Sequence, residues 1–241
     1  MVDLEICLAS DGSGDLAAQA INIAKGGARR IELCSNMEND GLTPSLNAIQ
    51  CVREATAGTV ELLVMLRPVS GDFSYTEKQV NEMLEMIPAL AQAGADGIVT
   101  GGLTSENAIN VDAMKQLAQQ TQSHNLAMTF HRAFDAISDH QAALRSISEL
   151  SISRVLSAGT SWLSGLGAEQ GIEKLEKFLQ YSQGQIELVV GGGVKHSNIQ
   201  WLKHKLHRDN RRLSFHTHSA VLTDGLVDVE KVTSLVALLA D

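Results

Sequence analysis

An alternation constrains this chain more than any other feature. Eight short runs rich in Val, Ile and Leu are each followed by a turn and then by a segment with apolar residues at helical spacing. The strand-like runs are Leu4–Leu8, Arg30–Cys34, Val60–Leu66, Gly97–Thr100, one starting at Leu126, Arg154–Leu156, Ile186–Val190 and Leu213–His216. The spacing predicts helices over Leu16–Ala24, Ser45–Ala55, Glu77–Ala93 and Val111–Gln120. Four more follow: one from Ser138 or Asp139 to Leu150, one within Gly165–Tyr181, then Lys195–Leu206 and Val227–Leu239. Pro44 sits where the first turn of the second helix is expected, and Pro88 predicts a kink or break inside the third. Strands separated by such helices pair in parallel through right-handed crossovers, and eight units close with no sheet edge left over. The expected fold is α/β, a (β/α)8 TIM barrel, with residues 1–241 forming a single domain. A doubly wound open sheet fits less well, because Asp11–Gly14 reads D-G-S-G where G-x-G-x-x-G would be expected.

Composition narrows the function. A net charge of −9 argues against nucleic-acid or anionic-membrane partners. The basic run His204–Arg212 reads as a solvated loop. No apolar run approaches the ~18–20 residues of a membrane span. The start, M-V-D-L-E-I-C-L, lacks the basic and apolar regions of a signal peptide. Cys7, Cys34 and Cys51 form an odd set without C-x-x-C spacing, which fits a reducing compartment. The expected location is the cytoplasm.

In a barrel of this kind, chemistry collects at the carboxyl ends of the strands. Here those ends carry Glu5 and Cys7, Glu32 and Cys34, Arg67, Thr100, His131 with Arg132 and Asp135, Ser157, Gly191–Gly193 and His216. Side chains two apart share a strand face, so in-register pairing would set Glu5 beside Glu32 and, above them, Cys7 beside Cys34. The carboxylates are either a salt-bridged filling of the barrel or part of a site. Arg67, held extended by Pro68, is either a fixed cation for a small anionic ligand or an ion-pair partner of Glu32. His131 is the candidate acid–base group together with Glu32. Asp135 either orients the imidazole or caps the next helix. Gly191, Gly192 and Gly193 expose backbone N–H groups before a helix, which with Arg67, Arg132 and His216 makes an anion-binding set; a tight turn is the other reading. His216 and His218 could also share a metal. Cys7 and Cys34 are soft donors suited to Cu(I), or else small buried hydrophobes, and Cys51 is packing.

Several of these segments together resemble the copper homeostasis protein CutC family. The motifs are L-E-I-C (4–7), R-I-E-L-C-S (30–35), G-L-T-P-S-L (41–46), M-L-R-P (65–68), G-D-F-S-Y (71–75), G-A-D-G-I-V-T-G (94–101), T-F-H-R-A-F-D (129–135), R-V-L-S-A-G (154–159) and G-G-G-V (191–194). The resemblance implies a cytoplasmic TIM barrel linked to copper handling, with Cys7 and Cys34 as Cu(I) ligands. It departs at Val69 and Ser70, where relatives carry an Arg and a Gly, and at Ala158, where they carry a Ser. Near the end, the family's F-H-x-S-A pattern reads Phe215-His216-Thr217-His218-Ser219-Ala220. A homo-oligomer is compatible with this reading, although the segment before the final helix is shorter than in many relatives. Two functions follow: a copper-binding protein using Cys7 and Cys34, or a barrel enzyme acting on a small phosphate or carboxylate metabolite.

Overall fold

The computed structural model describes residues 2–206 and 211–240; the part of the basic run at 207–210 lies outside them. All eight apolar runs are strands: β1 (Asp3–Ala9), β2 (Arg30–Cys34), β3 (Glu61–Met65), β4 (Gly97–Thr100), β5 (Ala127–Phe130), β6 (Arg154–Ser157), β7 (Glu187–Val190) and β8 (Leu213–Thr217). They pair in parallel in chain order, and β8 closes onto β1. Around them run α1 (Leu16–Lys25), α2 (Leu46–Thr56), α3 (Glu77–Gln92), α4 (Val111–Ser123), α5 (His140–Glu149), α6 (Ile172–Ser182), α7 (Ile199–Leu206) and α8 (Val229–Leu239). The described residues thus form the expected (β/α)8 barrel.

The period of two in each strand sorts its side chains. Ile6, Leu8, Ile31, Leu33, Leu62 and Val64 face outward and join one core with Ile23, Ile49, Val52 and Met83 of the helices. Fully burying one such side chain is worth about 1.5–3 kcal/mol. The alternate positions face the barrel axis, where Cys7, Cys34, Leu63, Met65 and Val99 form a separate cluster.

Lower in the barrel the axis is ionic. Arg30 reaches Glu187 (2.7 Å) and Glu5 (3.1 Å), and Arg154 reaches Glu61 (2.6 Å) and Glu187 (3.6 Å). Ser214 donates to Glu187 at 2.6 Å. Glu5 therefore belongs to an internal salt-bridged layer, the filling alternative raised above.

Several local expectations change. Ser45, not Pro44, precedes α2; the Ser45 hydroxyl accepts the Ala48 N–H, so Pro44 stands just outside the cap. Pro88 does not break α3, which is continuous and begins with a full capping box at Thr76 and Gln79. Helix α7 begins at Ile199, because Asn198 turns back to bond Lys195 N–H and Gly193 carbonyl.

The register also differs from the in-register pairing expected. Cys7 lies opposite Glu32 and Ala9 opposite Cys34, a stagger of two residues. Closing a tilted sheet into a cylinder demands such a shear between strands. It sets Glu5 beside Arg30 rather than beside Glu32.

Candidate functional site

At the carboxyl ends of the strands the barrel opens into a cavity of about 240 Å³. Glu32, Arg67 and His131, which lie far apart in sequence, all line it, together with Cys7, Cys34, Arg132, Gly192, Gly193 and His216. Asp135 and Gly191 do not line it.

One wall is sulfur. Cys7 Sγ lies 3.5 Å from Cys34 Sγ, and Met37 Sδ lies 3.8 Å from Cys7 and 3.1 Å from Cys34. The first two come from β1 and β2; Met37 comes from the 3₁₀ turn Met37–Asn39 that follows β2. Sequence reasoning missed Met37. Its only signal was a position three residues after Cys34, which a short turn folds back over the strand end. The hydrogen bond to Cys34, then burial, hold the Cys7 thiol well above its usual range.

Beside the sulfurs stands a carboxylate–imidazole–carboxylate chain. His216 Nδ1 meets Glu5 at 2.8 Å and its Nε2 faces Glu32 at 3.6 Å. Burial disfavours the imidazolium, but Glu32 and Glu5 outweigh it and raise the His216 pKa. Nδ1 is thus hydrogen-bonded to Glu5, while Nε2 lies within ion-pair distance of Glu32 and the ring lines the cavity. Burial pushes the Glu32 pKa up, opposed by His216 and reinforced by the charge of Glu5. Cys7, Glu32 and His216 offer donor atoms that all lie within 4.8 Å of one another. His218 also lines the cavity, but its Nδ1 meets the Cys7 carbonyl at 3.0 Å, and the cluster of possible metal donors around His216 is Cys7 and Glu32 rather than His218.

The same cavity is lined by Arg67 and His131. Arg67 donates to the carbonyls of Asn39 (2.7 Å), Gly41 (3.2 Å) and Gly71 (3.0 Å), tying together the loops after β2 and β3. The Glu32–Arg67 ion pair considered from sequence does not form. Phe73 packs between Arg67 and His131, its ring centroid 5.2 Å from the guanidinium carbon and 4.9 Å from the imidazole centroid.

His131 directly follows β5, and its Nδ1 accepts the Ala133 N–H at 3.2 Å. That bond assigns the imidazole proton to Nε2. Burial, then the nearby Arg67 charge, push the pKa down to about 3. At neutral pH His131 is therefore a neutral donor through Nε2. Gly101 makes room for the ring: a Cβ there would stand 2.7 Å from Nδ1.

Asp135 neither orients His131 nor caps α5. It accepts from Arg132 Nε (2.8 Å), Ser157 Oγ and the Ala158 N–H (3.1 Å), and Asp139 caps α5 instead. The 3₁₀ turn Arg132–Ala136 brings the carboxylate back under Arg132, whose guanidinium carbon lies 5.0 Å from the Trp162 ring centroid. Of the glycines, Gly191 donates its N–H to Ser157 within the barrel. Gly192 and Gly193 adopt left-handed φ of 82° and 77° and line the cavity. The helix expected to start directly behind them begins only at Ile199. A neutral donor, a fixed cation and a carboxylate of raised pKa on one cavity are a set that can polarise an oxygen and exchange a proton.

A family model described as CutC family matches residues 2–214. A protein named as a CutC family protein from Vibrio atlanticus is 35% identical over 201 residues, covering 83% of this chain and 76% of that protein. The human protein named copper homeostasis protein cutC homolog is 34% identical over 197 residues, 82% of this chain and 67% of its own. Among solved structures, a CutC from Streptococcus agalactiae superposes with a TM-score of 0.79 at 29% identity, covering 90% of this chain and 99% of that one. Among the described residues no helix is long and apolar enough to cross a membrane.

Proposed function

The chain belongs to the CutC family, and from that premise we propose that it binds Cu(I) at the barrel mouth through Cys7, Cys34 and Met37. The observation that carries this reading is the convergence of three sulfurs within 3.1–3.8 Å of one another. Metal–sulfur bonds of ~2.3 Å in a trigonal plane set sulfurs about 4 Å apart, so small side-chain adjustments bring all three onto one ion. Two thiolates and a thioether are soft ligands, which select Cu(I) over hard cations. The human and mouse relatives are named for copper homeostasis, which supports the same reading. Glu32 and His216 with Cys7 are a harder set suited to Zn²⁺. His216, however, already spans two carboxylates, so the all-sulfur site is favoured. The reading sets the protein in the cytoplasm, where reduced thiols persist.

Competition of the full chain against a chromophoric Cu(I) chelator tests it. Wild type is expected to withdraw one Cu(I) per chain, Cys7→Ser with Cys34→Ser to withdraw none, and Met37→Leu to bind at least about 10-fold more weakly. Binding should release protons and tighten as pH rises, since the Cys7 thiol must ionise. Unchanged Cu(I) uptake in the double variant, or tighter competition for Zn²⁺ that depends on Glu32 and His216, overturns the sulfur site.

A further inference from the structure

Arg67 and His131 line the cavity without being any of its sulfur residues, and each keeps one buried nitrogen without a hydrogen-bond partner. Arg67 is 2% exposed and His131 4%. Both terminal nitrogens of Arg67 bond carbonyls, which carry no formal charge, and its Nε has no hydrogen-bond partner. Among the described residues no carboxylate lies within ion-pair distance of this guanidinium; the Phe73 ring face is its partial compensation. Leaving a cation buried in this way costs several kcal/mol. His131 Nε2 is likewise buried and without a partner. The proton that Ala133 assigns to it makes it a donor, and an unmet buried donor costs about 1–3 kcal/mol. Its depressed pKa of about 3 keeps it from becoming a second cation.

Two unmet donors, one of them charged, flank a single aromatic ring on one wall of a cavity of about 240 Å³. Both deficits are relieved by the same thing: a negatively charged acceptor. We propose that the mouth binds a small organic oxyanion, a carboxylate or phosphate ester, with its charge against Arg67 and an oxygen accepting from His131 Nε2. Gly192, Gly193 and Arg132 line the same cavity and offer donors to a second oxygen-bearing group. The ligand class is thus a compact molecule with acceptors at both ends. The donors to this anion are other residues than Cys7, Cys34 and Met37, although Arg67 holds the Asn39 carbonyl of the turn that carries Met37 and both sets line one cavity.

Calorimetric titration of the metal-free full chain with 2-phosphoglycolate, inorganic phosphate and glycolate tests the proposal. 2-Phosphoglycolate is expected to bind with a submillimolar Kd. Whichever fragment binds better then identifies the group facing Arg67. Arg67→Met and His131→Phe should each weaken 2-phosphoglycolate binding by about 10- to 100-fold, the range for a lost hydrogen bond to a charged group. Because Arg67 also ties loops together, a wild-type measurement stands beside the variants. In chain labelled with ¹⁵N-histidine, the His131 Nε2–H resonance should shift on adding 2-phosphoglycolate. No heat with any probe at about 10 mM, equal affinity in wild type and both variants, or an unmoved His131 resonance under saturating probe overturns the anion site.

Discussion

Two polar layers share the inside of one barrel, and only the lower one answers every buried charge with an opposite one. In the lower layer every buried charge faces an opposite one: Arg30 and Arg154 alternate with Glu5, Glu61 and Glu187. At the mouth Arg132 and His216 find carboxylates, but Arg67 meets carbonyls and the Phe73 ring with no carboxylate, His131 leaves Nε2 unmet, and Glu32 keeps Oε1 without a hydrogen-bond partner. The electrostatics follow. Burial alone would raise Glu187, yet Arg30, Ser214 and Arg154 hold it below its usual range, whereas burial wins at Glu32. A paired buried layer specifies and holds a fold, while an unpaired one costs stability and is kept where a ligand completes it.

The largest effect should come from breaking the lower layer. Glu187→Ala leaves Arg30 and Arg154 facing each other with too little negative charge, and should cost about 3–5 kcal/mol in urea denaturation. At the mouth the matching change has the opposite sign. Glu32 titrates above its ordinary value, so its stabilising contribution is full below the unfolded pKa and is lost as pH rises through the folded one. Glu32→Gln at neutral pH should therefore raise stability, by about 0.5–2 kcal/mol, while Glu187→Gln lowers it. If both variants move the midpoint in the same direction, the contrast between the layers fails.

Acid titration sharpens the same contrast. Glu5 and Glu187 titrate below their ordinary values, so they stabilise the fold above the unfolded carboxylate pKa and stop doing so as pH falls through the folded values. His131 weakens the fold earlier. The unfolded chain takes up its proton near pH ~6.5, and the folded ring resists until about 3. Between those values stability should fall by up to about 1.4 kcal/mol per pH unit from this site. Imidazole NMR provides the direct check: at about pH 5, His131 should be neutral and His216 charged. A His131 that protonates like a free histidine removes the case for a neutral donor. The smallest effect belongs to neither layer. Lys78 and Glu82 pair at 3.6 Å on the outer face of α3, with Lys78 mostly exposed, and Lys78→Ala should cost no more than about 0.5 kcal/mol.

Much of the barrel was readable because its strands and helices have different apolar periods and are short enough to be bounded by Gly, Pro and capping residues. Thr76 and Asp139 cap where local chemistry says they should. At the mouth, Glu32, Arg67 and His131 were legible as strand-end polar groups, and the fold brings them to one cavity. Their pairings were not legible. Asp135 reads equally as a partner of His131 or a helix cap, and only the 3₁₀ turn after β5 shows it curling back to Arg132 and Ser157. Met37 was invisible as a donor for the same reason, since a methionine in a turn has no periodicity to betray it.

The amino-acid order alone determined which segments are strands, which are helices, and that chemistry-bearing residues end the strands, because those properties depend on neighbours within a few positions. The tertiary structure decided the two-residue stagger between β1 and β2, and with it that Cys7 stands level with Glu32 and Glu5 with Arg30. Shear is a condition on closing the whole cylinder, to which all eight strands contribute, so no local window of sequence contains it. Which buried charges are answered, and which are left for a ligand, follows from that global condition.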